Sequence, residues 1–185
     1  ARIQLLISGR GTKESYEEQG ELQLTDYGIS GIPVFQLSRF AAAALDAGRQ
    51  VKASIDFLPG FRDNEALWQE LVEEKCTSCR QRSMEVLFGG LVNKKIIQTA
   101  VKLCGLSMGD RAERKNLPAI RKVFALLRSF EVQVTDTNPF ANAQVCAGGV
   151  PLTEVDGHLE SRICPGLYLA GELLDADGRC GGYNL

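Results

Sequence analysis

The feature that most constrains this chain is a change of hydrophobic period, made twice. Ile3, Leu5 and Ile7 alternate with other side chains, as do Val51, Ala53, Ile55 and Phe57 later on, and both runs predict strands. From Asp63 to Ser129 the apolar spacing becomes helical, and at Phe130, Val132 and Val134 alternation returns. The order is strand, helix block, strand. It predicts an α+β chain in which an all-helical module is inserted into a β-rich domain.

Within that frame, Ser8 to Gly11 predicts a turn, Glu21 to Thr25 a short strand, and Tyr27 to Pro33 a loop. Apolar residues at 34, 35, 37, 41, 44 and 45 predict a helix over Val34–Ala47, closed by Gly48. Pro59-Gly60 ends the strand before the helical block. Asp63 is the expected N-cap of the first helix in that block, with Leu67, Leu71, Val72, Cys76 and Cys79 as its inward stripe. Further helices are expected over Met84–Phe88, Leu91–Cys104 and Leu117–Ser129, the last tolerating Pro118 in its first turn. Beyond Asn138-Pro139, short strands are expected at Gln144–Ala147, Leu152–Val155 and Gly166–Ala170.

Composition narrows the class. With 185 residues, 44% hydrophobic, and a formal charge of −2, the chain can build a core, which excludes disorder as its dominant state. The longest mostly apolar stretch, Phe40 to Leu45, is far short of the ~20 residues that span a bilayer. No signal-peptide pattern opens the chain, so a cytoplasmic location is expected. It begins Ala1-Arg2 and stops on Gly181-Gly182-Tyr183-Asn184-Leu185, which leads us to expect a piece of a longer protein. The six cysteines fit reduced thiols better than a disulfide scaffold, because a chain of this length has no need of staples.

The small net charge conceals three zones: −5 over residues 1–74, +9 over 75–128 and −6 over 129–185. A segment of charge +9 attracts phosphates, anionic cofactors or nucleic acid, although a solvated helical face is the plainer reading. Cys76-x-x-Cys79 has metal or redox spacing, but no second pair or nearby histidine completes four ligands, and core packing explains both residues. No metal site is expected. His158, the single histidine, sits in a turn after Asp156-Gly157 and has no partner that would make it catalytic. Neither GxGxxG nor GxxxxGK[ST] occurs, so the chain carries no dinucleotide or P-loop site of its own. No catalytic residue can be named.

The C-terminal run from Pro165 to Leu185 differs in kind. A strand expected to end in Gly171-Glu172 lets another backbone approach and offers a carboxylate to sugar hydroxyls. A Gly181-Gly182-Tyr183-Asn184 entry to a helix exposes N–H groups and a positive dipole end. Together these suit the ribityl chain and pyrimidine edge of a flavin. The run resembles the second flavin-binding motif of bacterial FAD flavoproteins labelled NAD(FAD)-utilizing dehydrogenases, one branch of which is implicated in reductive bile-acid metabolism. Leu24 to Pro33 resembles that family's Thr-His-x-Gly-x-Ser-Gly-Pro loop, with Asp26 where His is common and Ile32 before the proline. Asn142 to Val150 resembles its strand and Gly-Gly-Val turn, and Leu159-Glu160-Ser161 also matches.

The resemblance implies that 1–62 and 130–147 form a discontinuous β-barrel-like insert domain. It further implies that 63–129 is a helix-two-turns-helix-like module and that 148–185 is part of the returning FAD-binding segment. The whole would be a fragment of a larger two-dinucleotide-binding-type flavoprotein whose N-terminal domain carries the pyrophosphate site. Gly171, Glu172 and Asp175 would then serve the ribityl or phosphate region, and Gly181, Gly182, Tyr183 and Asn184 the isoalloxazine. Thr25, Tyr27, Gly28, Ser30, Gly148 and Gly149 would lie on the substrate side of the ring. The implied function is the substrate-side segment of an FAD-dependent oxidoreductase using NAD(P)H, inactive and flavin-free when isolated. Its partners would be the rest of the FAD domain and an unidentified small molecule, with neither membrane nor nucleic acid expected on this reading. The alternative is a basic helical binding module for nucleic acid or a phosphate-bearing ligand.

Overall fold

The structure, a computed structural model, describes residues 1–9, 11–78, 80–143 and 147–179. Strands β1 (Arg2–Gly9), β2 (Thr12–Gln19), β5 (Gln50–Asp56) and β6 (Phe130–Val134) form an antiparallel sheet in the order β2-β1-β5-β6. A two-stranded ribbon, β3 (Gln23–Leu24) with β4 (Ile29–Ser30), precedes helix α1 (Ile32–Asp46). Four helices follow β5: α2 (Glu65–Ser78), α3 (Met84–Phe88), α4 (Lys94–Leu103) and α5 (Leu117–Arg128). The α+β class expected from the sequence is the class observed.

Register explains why the alternation is legible. Ile3 lies opposite Ile55, Leu5 opposite Ala53, and Ile7 opposite Val51, so one face of the sheet is an unbroken apolar row. Helix α1 covers it with Leu37, Ala41 and Ala44, the 3.6-residue spacing of a single face. The helix ends in a Schellman motif: the N–H of Gly48 donates to Leu45 and that of Arg49 to Ala44. Gly48 is left-handed at φ +70, as its place past the C-cap requires.

A second core holds the helices. Phe88 and Phe124 are fully buried with ring centroids 4.9 Å apart, and Trp68 meets Phe124 edge-on at 5.7 Å. Each such ring contributes about 1.5–3 kcal/mol by leaving water. Phe57 ties the end of β5 to this helical core, its N–H donating to Leu127 and its ring meeting Phe130 edge-on at 5.9 Å.

Several expectations need correction. The polar segment 12–19 is a full strand, which its side chains do not advertise. The strand over Glu21–Thr25 shrinks to two residues, and the loop over Tyr27–Pro33 contains β4 and the start of α1. The cap of α2 is Asn64 rather than Asp63, its Oδ1 accepting from the N–H of Leu67 at 2.9 Å. That places Trp68, Val72 and Cys76 inward, while Leu67 is exposed. The helix expected from Leu91 starts instead at Lys94, because Asn93 caps it by accepting from the N–H of Lys95 at 2.9 Å. Leu152–Glu154 is a 3-10 turn, and Gly166–Ala170 makes only one bridge, from Tyr168 to Glu160. Tight turns at Asp156 and at Gly166, where φ is +83, leave no length for ladders. Cys79 and the 144–146 part of the strand expected at Gln144–Ala147 lie outside the described residues. Among those described, no group of three His, Cys, Asp or Glu could hold a metal, and no helix is long and apolar enough to cross a membrane.

Candidate functional site

Two backbone constructions carry the residues singled out in the sequence. The first is the ribbon before α1. Thr25 donates both its N–H (2.9 Å) and its hydroxyl (3.1 Å) to the carbonyl of Gly28, tying a four-residue turn that holds Tyr27 out into solvent. Ser30 is buried behind it. The next residue, Gly31, is the N-cap of α1, its carbonyl accepting from the N–H groups of Val34 and Phe35. Gly31 sits at φ +105, and a Cβ there would lie 2.4 Å from the carbonyl oxygen of Glu21. The Ser-Gly-x-Pro run therefore has a physical reason. Glycine alone lets the chain entering β3 cross under the start of the helix, and Pro33 suits the first turn.

The second construction brings Gly148-Gly149 onto Gly171–Asp175. The N–H of Val150 donates to Leu173 at 2.8 Å, and the N–H of Asp175 donates to Val150 at 2.9 Å. At Gly149 a Cβ would meet Leu173 O at 2.6 Å, Leu174 C at 2.8 Å and Asp175 N at 3.0 Å, with φ at +153. Leu174 is buried beneath this approach, and Glu172 and Asp175 are exposed on its outer side. Of the expected residues, Gly149 and Asp175 meet in this clasp, with Gly148 adjoining the first and Gly171 and Glu172 leading into the second. Gly181, Gly182, Tyr183 and Asn184 lie outside the described residues.

Between the glycine pairs the chain is held by its own acids. Glu160 accepts from the N–H of Gly166 at 2.7 Å and from the Tyr168 hydroxyl at 3.2 Å. Asp156 accepts from the N–H groups of Glu160 (3.0 Å) and His158 (2.8 Å), and these bonds hold its carboxyl below the ordinary 3.8. A carboxylate lowered on folding supports the turn fully above the unfolded value and loses that support as pH falls through the folded one. Carbon NMR of Asp156 is expected to show a midpoint under 3.8, and a midpoint at or above it would contradict this turn. His158 contributes its backbone N–H here, and its ring is exposed beside the Asp156 carboxylate.

The clasp is tied to the sheet by residues the sequence did not single out. Arg39 on α1 pairs with Asp177 at 3.3 Å, and Glu18 on β2 pairs with Arg179 at 3.7 Å. They rim a cavity of about 270 Å³ floored by Tyr16 and Phe40, whose rings stack at 3.9 Å. No local pattern reveals a pairing between partners so far apart in the chain. Among the described residues, no hydrogen bond or ion pair joins the Thr25–Ser30 turn to the clasp. The two constructions share α1, which starts at one and pairs with the other.

Residues 2–145 match the family model described as HI0933-like protein barrel and H2TH domain. A 3-dehydro-bile acid delta(4,6)-reductase of Clostridium scindens is 39% identical over 170 residues, covering 91% of this chain and 41% of that protein. Ribosomal RNA dihydrouridine synthases of Haemophilus influenzae and Escherichia coli are each 27% identical, covering 89% and 88% of this chain and 38% of each enzyme. The chain spans about two-fifths of the length of these curated relatives.

Proposed function

This chain belongs to the family of HI0933-like proteins with a barrel and H2TH domain, and on that premise we propose that it is the substrate-side segment of an FAD-dependent reductase. The reaction is saturation of a carbon–carbon double bond conjugated to a carbonyl, with NAD(P)H as electron source. The observation that carries this reading is the clasp at Gly149. Its close backbone approach leaves Glu172 and Asp175 exposed together, so their carboxylates are available to accept from ribityl hydroxyls.

Bound flavin supplies the hydride chemistry, and the chain's own residues bind and orient. Gly148 and Gly149 bring backbone rather than side chain to the cofactor edge. Glu172 and Asp175 hold hydroxyls, and the Arg39–Asp177 pair holds the clasp against α1. The Thr25–Gly28 turn presents Tyr27 on the substrate side. The 39% identity to the bile-acid enzyme favours a rigid apolar enone as substrate, and the activities named for the relatives have in common a carbon–carbon double bond conjugated to a carbonyl.

A second reading is favoured by one specific observation. Two relatives are named for a product made in ribosomal RNA, and this chain carries a +9 helical zone. The reduced bond would then belong to a uridine in structured RNA.

Visible absorption of the full-length protein tests the flavin assignment. Oxidised-flavin bands are expected in the full-length protein and absent from the isolated chain, and the bands should bleach with NAD(P)H and recover on adding a conjugated steroid dienone. A colourless full-length protein that takes up no added FAD would remove the assignment. Intact flavin whose colour does not recover with the dienone would remove only the substrate class.

A further inference from the structure

The twelve basic residues between Lys75 and Arg128 are sorted by the fold. On α5, Arg121 pairs with Glu73 at 2.6 Å and Arg128 with Glu65 at 2.8 Å, so acids of α2 neutralise them. Lys94 pairs with Glu85 at 2.6 Å and Lys115 with Glu113 at 3.1 Å. The remaining acid of the zone, Asp110, accepts from the N–H of Ser107 at 2.8 Å. All three of the zone's own carboxylates are therefore engaged.

Eight of the twelve stay outside these pairs: Lys75, Lys95, Lys102 and Lys122, dispersed along the helices, and four arginines that the fold gathers. Arg80, Arg82, Arg111 and Arg114 are exposed and form no ion pair among the described residues. The first two are distant in sequence from the others, yet the fold joins them. The N–H of Ala112 donates to Arg82 at 2.8 Å, that of Gln81 donates to Ala112 at 3.3 Å, and Ser83 bridges Arg111. Between Arg80 and Arg82, Gln81 holds a left-handed φ of +64, one of two such non-glycine residues described. A strained residue held between two arginines by backbone hydrogen bonds is costly to keep without a use.

The surroundings select the partner. Trp68, Phe88 and Phe124 of the helical unit are buried, so no exposed aromatic ring there offers a base a stacking face. Its exposed large hydrophobics, Leu67, Val86 and Leu103, are single residues rather than the apolar centre a protein interface needs. Guanidinium groups spread over two joined loops instead suit the regularly spaced phosphates of a duplex.

We propose that Arg80, Arg82, Arg111 and Arg114 form a docking surface for the phosphate backbone of base-paired RNA. The choice of RNA rests on the second reading above, whereas the phosphate recognition rests on where the fold leaves charge.

The test uses the full-length protein and a fluorescein-labelled, GC-rich RNA hairpin, with a DNA hairpin of the same sequence and polyglutamate as comparisons. Binding to RNA is expected to weaken steeply with salt. Replacing all four arginines by Gln should weaken it tenfold or more and flatten the salt slope by roughly 0.7–0.9 for each phosphate no longer neutralised. Lys94→Gln with Arg121→Gln, which removes paired cations, should leave the slope unchanged. If the fourfold variant melts early, Arg82→Gln and Arg114→Gln singly should each flatten the slope by about the share of one phosphate. Equal losses in the paired-cation control, or no salt-sensitive binding, would overturn the surface. Tighter binding of DNA or polyglutamate than of RNA would overturn the partner. Uridine reduction is scored separately: RNA binding without reduction refutes the second reading alone, and reduction undiminished in the fourfold variant refutes the surface alone.

Discussion

Gly149→Ala is expected to open the clasp between 148–150 and 173–175. The new methyl carbon would sit 2.6 Å from Leu173 O, 2.8 Å from Leu174 C and 3.0 Å from Asp175 N. All three are backbone atoms, so no side-chain rotation relieves the clash. The positive φ of +153 adds strain of its own. The cost is about 3 kcal/mol, the sum of overpacking and an unfavourable backbone. It falls on a segment held by two hydrogen bonds, from the N–H groups of Val150 and Asp175. Amide exchange at those two residues should accelerate by about two orders of magnitude at that cost, while buried amides of α4 and α5 keep their protection. Gly148→Ala, at φ +93 with nothing within 4 Å, carries strain without clash and should have the smaller effect. Unchanged exchange in Gly149→Ala would mean that the clasp is not held as described. In the full-length protein the same variant should lose flavin during purification if the clasp borders the cofactor.

Gly31→Ala should destabilise the sheet-and-α1 half by about 3 kcal/mol or more. Its Cβ would meet Glu21 O at 2.4 Å at φ +105, and relief requires moving either the start of α1 or the crossing segment. Pro33 fixes the helix start, so β3 and the Thr25–Gly28 turn must move. A useful reference is Gly48→Ala, at φ +70 in open space, where only the backbone penalty of about 1 kcal/mol applies. Thermal unfolding of the two variants should therefore differ by several degrees. Equal melting temperatures would show that the close crossing at Gly31 is unimportant.

These two glycines also mark how far the sequence could be read. Ile3, Leu5, Ile7, Val51, Ala53 and Ile55 announce β1 and β5 because one face of each is buried and the other is not. Strand β2 stays hidden for the opposite reason. Apart from Tyr16, which packs against the core under α1, its Thr-Lys-Glu-Ser-Tyr-Glu-Glu-Gln side chains lie at a sheet edge and are held by pairs such as Arg49–Glu14 and Arg2–Glu17. Charged edges of this kind discourage pairing with other chains, so polarity that obscures the strand is part of how it works. Gly148-Gly149 and the Gly171, Glu172 and Asp175 turn were each legible from their glycines, but their meeting was not, because glycine spacing marks a tight backbone without naming what approaches it. Arg39 and Asp177 were not, since a long-range ion pair leaves no local trace. The +9 zone was legible only as a total. Which cations are neutralised depends on α2 meeting α5, a packing fact that composition cannot carry.

The helical unit leaves the sheet after β5 and returns as β6, and those two strands are direct neighbours, Ile55 lying opposite Phe130. In topological terms the whole module is one hairpin loop grown large enough to hold a core of its own. A loop can be lengthened, recharged or repacked while the strands on either side keep their register, because loop-closure entropy rises only slowly with length. Selection can therefore work on the module and on the clasp as separate parts.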